Sequence, residues 1–149
     1  MARILLGGDH AGTDLRAELA RTLAGWGHEV VDLGTTGHES VDYPDYAVAV
    51  AERVARGDGV GLLVCGTGIG VDIAANKVAG VRSARVTDTY SARMSRAHND
   101  ANVLCLGARV TGAGLAEEIV KAWLDTPFEG GRHQRRVDKL NALDQRKKP

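Results

Sequence analysis

The 149-residue chain carries 19 basic and 19 acidic side chains, so its formal net charge is zero and gives no global pull toward nucleic acid or a membrane surface. Its length suits one domain over residues 1–149, and 44% hydrophobic with 26% charged residues is the balance of an ordinary globular protein. No apolar run reaches membrane-spanning length and the first residues lack the plan of a signal peptide. Cys65 and Cys105 fall in expected strands, which suits reduced thiols in a cytoplasm better than a disulfide framework.

Arg3 to Leu6 reads as a first strand, closed by Gly7-Gly8-Asp9-His10-Ala11-Gly12. A helix follows with Leu15, Leu19, Leu23 and Trp26 at near-helical spacing, Thr13 as its N-cap and Gly25 and Gly27 as its stop. Glu29 to Leu33 is the second strand, and the loop from Gly34 to Tyr43 is polar. Pro44 suits the first turn of a helix carrying Ala47, Val48, Ala51 and Val54 on one face. Leu62 to Cys65 is short, apolar and strand-like. It breaks into Gly66-Thr67-Gly68-Ile69-Gly70 and resumes as a helix through Ile73 and Ala75.

A fourth strand, Val81 to Val86, leads to a helix from about Asp88 to His98, and Asn102 to Leu106 is the fifth strand. The helix from about Gly112 to Leu124 turns Leu115, Ile119, Val120 and Trp123 inward. Strands alternating with helices predict a single-domain three-layer α/β/α fold with a five-stranded parallel Rossmann-like sheet. The tail departs from this rhythm. After Pro127 to Gly131, an extra C-terminal helix spans about 132–146 with no strand beyond it. Its apolar stripe, Val137, Leu140 and Leu143, is narrow, as in a terminal helix that packs on a second subunit. The short basic end, Arg146 to Lys148, is expected to fray.

Ligands of such sheets bind beyond the carboxyl ends of the strands, where Asp9, His10, Cys65, Thr67 and Arg109 fall. The strand–glycine loop–helix at 60–75 aims backbone N–H groups and a helix dipole at one spot, which favours an anion or a developing oxyanion. A Gly-x-x-x-x-Gly-Lys-Ser/Thr phosphate loop is missing from the sequence. A dinucleotide fingerprint is weakened at Gly7 to Gly12 by Asp9, whose carboxylate repels a pyrophosphate, and in the second loop by Val71 in place of the third glycine. Asp32 nevertheless stands where a ribose-binding acid belongs.

Cys65 has two readings, a small buried hydrophobe or a thiolate favoured by the helix N-terminus that follows it. Cys105 lacks such a loop and reads as core. His10 and His98 sit at element ends, as proton-transfer groups or as satisfied loop histidines. His28 and His38 read as surface residues. A metal site from His10, His98, Cys65 and Asp9 lacks any ligand pair at a diagnostic spacing. Arg132, Arg135, Arg136 and Lys139 form either a solvated helix face or, through Arg132 and Arg136 at i and i+4, a phosphate clamp.

Several stretches together resemble the ribose-5-phosphate isomerase B family, which also includes subunits of galactose-6-phosphate isomerase. They are Ile4 to Gly12, Asp42-Tyr43-Pro44, Cys65 to Gly70, Ala74 to Lys77, His98-Asn99-Asp100, Asn102-Val103, Gly107-Ala108-Arg109 and Glu129 to Arg136. The order and spacing cover nearly the whole chain. The resemblance implies an aldose–ketose isomerase that interconverts D-ribose 5-phosphate and D-ribulose 5-phosphate through an enediolate, with no metal and no cofactor.

Carried over by motif, Cys65 is the base and the backbone of Gly66, Thr67, Gly68, Ile69 and Gly70 stabilises the enediolate. His98 is the proton donor that helps open the furanose ring, with Thr67 and Asp9 assisting. His10, Tyr43, Asn99 and Arg109 line the substrate site, and Arg132 and Arg136 hold the phosphate. The resemblance further implies a homodimer or dimer of dimers with a shared active site. Galactose 6-phosphate, allose 6-phosphate or a tetrulose phosphate remain alternative substrates, and a non-catalytic nucleotide- or sugar-phosphate-binding module is the alternative outside enzymes.

Overall fold

A computed structural model describes residues 2–147. The elements run β1 (Arg3–Gly8), α1 (Thr13–Gly25), β2 (Glu29–Asp32), α2 (Tyr43–Ala55), β3 (Val60–Cys65) and α3 (Ile69–Asn76). They continue through β4 (Ser83–Arg85), α4 (Thr89–Ala97), β5 (Val103–Gly107), α5 (Ala113–Asp125) and α6 (Arg132–Ala142), with short 3-10 turns at His10–Gly12 and Leu143–Lys147. The strands form one five-stranded sheet in the order β2-β1-β3-β5-β4, with every pair parallel.

Alternation along the strands sorts the core into two layers. Ile4, Leu6, Leu62, Val64, Leu104 and Leu106 face α1, α4 and α5, where Leu19, Leu23, Ile119 and Trp123 cover them. Leu5, Leu63, Cys65, Val103 and Cys105 face the other way, against Ala47, Val50 and Ala51 of α2 and Val71 and Ala75 of α3. The near-continuous apolar runs in β1, β3 and β5 therefore follow from burial on both faces. They also fix Cys65 on the α2/α3 side.

Chain direction reverses between β1, which leads outward to β2, and β3, which leads the opposite way to the β4 edge. This switch point leaves a crevice beyond the carboxyl ends of β1 and β3, between the turn after Gly8 and the loop after Cys65.

Several local expectations are corrected. Thr13 is the first residue of α1 rather than its cap; its hydroxyl instead donates to the Gly37 carbonyl at 2.9 Å. The N-cap of α1 is Gly12, with no side-chain cap bond, while Asp9 caps the preceding 3-10 turn, its carboxylate accepting the Ala11 N–H at 3.0 Å. Leu115 is 43% exposed, since Ala116 takes the inward position on α5. Val50, rather than Val48, is fully buried on α2. The fourth strand shrinks to Ser83–Arg85 because it forms the sheet edge and pairs on one side only. His28 is not a free surface residue: its Nδ1 accepts the Ala2 N–H at 3.2 Å. Of the basic tail, Lys148 lies outside the described residues.

Candidate active site

The crevice at the switch point is an open cleft of about 450 Å³ lined by Asp9, Tyr43, Cys65, Gly66, Thr67, Ile69, Gly70, Ile73 and Arg109. Strand β3 ends at Cys65, which is 5% exposed, and the chain then turns into α3. The turn needs glycine at Gly68, whose φ is 79° and whose missing Cβ would lie 2.9 Å from the Leu106 carbonyl carbon. With that turn made, the Gly68 N–H points back at Cys65 and donates to Sγ at 3.1 Å. The Ile69 N–H donates to the Thr67 hydroxyl at 3.2 Å. Two amides of the expected oxyanion nest are thus engaged by side chains of the same loop. The Gly68 amide is directed at the sulfur.

Other groups converge on this end. Asp9 is buried at the base of the cleft, and the Arg109 guanidinium reaches across to Gly66, 3.4 Å from where a Cβ would sit. The Tyr43 ring packs on Gly70, where a Cβ would come within 2.5 Å of it, so glycine lets the ring close one wall. His10 lies at the end of β1, its Nδ1 accepting the Val41 N–H at 3.2 Å, which leaves Nε2 to carry the proton of a neutral ring. Asp32 is occupied: it pairs with the buried Arg16 at 3.0 Å and accepts the Gly34 N–H at 2.9 Å. The remaining acid of the dinucleotide reading therefore serves the fold.

His98, Asn99, Arg132 and Arg136 are not in this cleft. Cys65 is in register with Gly107 at the carboxyl end of β5, whereas His98 caps α4 before the amino end of that strand. A strand of this length spans roughly 13 Å at about 3.3 Å per residue. The two groups therefore sit at opposite ends of the sheet within one chain. There, His98 stacks on the buried His133 with ring centroids 4.1 Å apart and an 11° interplanar angle. Glu129 bridges the pair, with a carboxylate oxygen 3.8 Å from His98 Nε2 and 3.9 Å from His133 Nε2. Arg132 Nε approaches His133 Nε2 at 3.4 Å, and the Glu129 N–H ties the segment to the Ala97 carbonyl at 3.0 Å. Burial, then the neighbouring His98 and the Arg132 charge, push His133 below the ordinary imidazole range. Asn99 lines a separate cavity with Arg82 and Leu140.

His98, Glu129 and His133 offer three metal donors close together among the described residues. Their rings are stacked, so the in-plane lone pairs run along two separate parallel planes and do not converge on one ion. The set from His10, His98, Cys65 and Asp9 is divided between the two ends. Glu129, His133 and Ile73 were not singled out as site residues from the sequence. The i, i+4 spacing of Glu129 and His133 was the available signal, but only the tertiary approach of α4 gives it meaning.

A parallel α/β sheet with a cysteine and a glycine loop at its switch point places a small-ligand crevice where open α/β sheets bind their ligands. The sequence matches the profile described as Ribose/Galactose Isomerase over residues 4–140, and the chain belongs to that family. It is 51% identical over 149 residues to ribose-5-phosphate isomerase B of Escherichia coli, covering 99% of each chain. It is 43% identical over 151 residues to a D-erythrulose-4-phosphate isomerase of Pectobacterium atrosepticum, again covering 99% of each. The solved structure of Clostridium thermocellum ribose-5-phosphate isomerase B superposes with a TM-score of 0.96 at 51% identity, covering 98% of this chain and 99% of that one.

Proposed function

We propose that this chain is an aldose–ketose isomerase interconverting D-ribose 5-phosphate and D-ribulose 5-phosphate, with Cys65 as the base. The observation that carries the reading is the Cys65 sulfur facing the cleft floor with the Gly68 N–H on it at 3.1 Å. In the open-chain sugar, the Cys65 thiolate takes the proton from C2. The C2 electron pair forms the C1=C2 double bond, and the carbonyl oxygen at C1 becomes the enediolate oxygen. Passing the O2 proton to O1 and returning the sulfur-held proton to C1 gives the ketose, with C2=O2 formed, O1 a hydroxyl and the Cys65 thiolate restored. A proton α to a carbonyl is too weakly acidic for a thiolate unless that oxyanion is stabilised at the same moment. Gly70, in the first turn of α3, and Arg109 line the cleft and would supply that stabilisation.

We further infer that the working unit is a homodimer or a dimer of dimers in which each cleft is completed by a second copy. Ring opening by His98, positioning by Asn99 and phosphate binding by Arg132 and Arg136 all need groups held at the far end of the sheet. A two-fold interface that brings one copy's α4–α6 corner to the other's Cys65 cleft supplies both sites at once. The exposed Ile69 and Ile73, one turn apart on the lip of the cleft, and Leu140 and Leu143 at the tail give such an interface apolar surface. Among the described residues no helix is long and apolar enough to cross a membrane, and both cysteines are free and buried, which supports a cytoplasmic enzyme.

The test is turnover of ribose 5-phosphate beside erythrulose 4-phosphate, galactose 6-phosphate and allose 6-phosphate, with Cys65→Ala as control. Ribose 5-phosphate should give the highest kcat/KM, and Cys65→Ala should lose turnover while still binding substrate. A higher kcat/KM for the four-carbon sugar would reassign the substrate. A Cys65→Ala enzyme with most of its kcat would remove Cys65 as base.

A further inference from the structure

One peptide unit joins Cys65 to a side chain outside the cleft. Arg85 ends β4, and its Nε donates to the Thr67 carbonyl at 3.0 Å. The N–H of that same Thr67–Gly68 peptide donates to Cys65 Sγ at 3.1 Å. In a planar trans peptide the C=O and N–H point in opposite directions, so guanidinium, carbonyl, amide and sulfur form one line. A cation on the carbonyl oxygen draws electron density from the amide and strengthens its N–H as a donor. Arginine suits the position because its charge persists at every working pH.

The surrounding charges make the cation matter. On β4, Ser83 and Arg85 share a face directed at α3, and the Ser83 hydroxyl donates to Asp72 at 2.7 Å. Burial pushes the half-buried Asp72 carboxyl up, the Ser83 bond opposes this, and Arg85 is a cation in its field. The ionisable groups around the sulfur are Asp9 and Tyr43 across the cleft, Arg109 beside Gly66, Asp72 behind the loop and Cys105 on the neighbouring strand. Burial pushes the Cys105 thiol up, so it stays neutral. Arg109 faces the substrate side of the cleft, whereas Arg85 reaches the sulfur through the backbone.

We propose that Arg85 is a positioning residue for Cys65, fixing and polarising the Thr67–Gly68 peptide so that its N–H holds the sulfur as a reactive thiolate. The proposal rests on Cys65 being the base. Its test does not need turnover: alkylation of Cys65 by iodoacetamide is followed by intact mass across pH 5–10. Cys65→Ser serves as the blank, because Cys105 is fully buried. R85Q should displace the midpoint of the profile upward by about half to one pH unit, slowing alkylation about three- to tenfold at neutral pH with the high-pH plateau unchanged. Its kcat should fall by a similar factor at neutral pH and recover as pH rises, with KM unchanged. R85K, which keeps the charge but loses the planar fork, should shift less in the same direction.

An R85Q profile superposed on the parent's overturns the proposal. So does a lowered plateau with an unmoved midpoint, which is what a merely structural role predicts. If R85Q does not fold, an unmoved midpoint in R85K overturns it equally. A Cys65→Ala enzyme that still turns over would instead overturn the base assignment. A dead Cys65→Ala enzyme beside unmoved Arg85 profiles removes the role of Arg85 alone.

Discussion

The Gly68 N–H meets the Cys65 sulfur at 3.1 Å, three residues along the chain, so the amide that leads into α3 is paired with the thiol of the strand that precedes it. The same loop thus holds the sulfur and starts α3. Both features require the left-handed backbone at Gly68, where φ is 79°.

Gly68→Ala puts a Cβ 2.9 Å from the Leu106 carbonyl carbon and 3.1 Å from the Gly107 nitrogen, both backbone atoms of the adjacent strand. The loop must shift, and the amide moves off the sulfur. Losing one preorganised donor costs about 10²–10³ in rate, so kcat should fall by that order while KM changes little. Steady-state kinetics beside circular dichroism check this. A variant within tenfold of the parent kcat would show that the amide–sulfur bond is dispensable.

Cys65 and His98 stand at opposite ends of the sheet in one chain, so a shared site predicts complementation. Cys65→Ala and His98→Ala should each be inactive as homodimers. Co-expressed, they form hybrids in which one of the two clefts pairs an intact Cys65 with an intact His98. Random pairing makes half of the dimers hybrid, each with one working site, which restores roughly a quarter of parental activity. Absence of any recovery in isolated hybrid dimers would mean that His98 does not complete the partner's cleft.

The sheet, its helices and the Cys65 corner were legible because burial on both faces writes itself as apolar runs in β1, β3 and β5, and because glycines mark the turn after Cys65. Leu115 and Val48 were misplaced for a simpler reason: at helical spacing, a neighbouring position such as Ala116 or Val50 fits the core face as well, and only packing decides. Arg85 was silent in the sequence. Nothing local says that an arginine on a three-residue edge strand will reach the carbonyl of a loop 18 positions earlier. Local periodicity likewise does not say that Cys65 and His98 stand at opposite ends of the sheet.

Arg16 is 2% exposed, and its charge is met by Asp32 at 3.0 Å and by the Thr35 carbonyl, while Nη1 has no partner among the described residues. Removing the anion from a buried cation is costly, yet Asp32 is itself 40% exposed and water can take part of its place. Asp32→Asn should therefore lower unfolding free energy by about 1–3 kcal/mol. Urea unfolding checks it. The loop that sets Val41 against His10 is anchored at this pair, so KM should rise alongside. An unchanged midpoint would show that the Arg16 charge is satisfied without Asp32.

His133 supplies a pH test with a definite sign. Burial first, then His98 and Arg132, hold its folded-state pKa below the ordinary value, with Glu129 opposing and Arg136 adding to the depression. As pH falls through about 6.5 the unfolded chain takes up a proton at this ring while the native state does not, so unfolding is favoured. The loss grows downward from there and levels off only once the folded-state ring is itself protonated. Thermal midpoints should accordingly fall between pH 7 and 5, above the range in which ordinary carboxylates titrate. His133→Gln removes the group from both states, so its midpoint should depend less steeply on pH over the same interval. Parallel curves for parent and variant would show that His133 is protonated equally in the folded and unfolded chain.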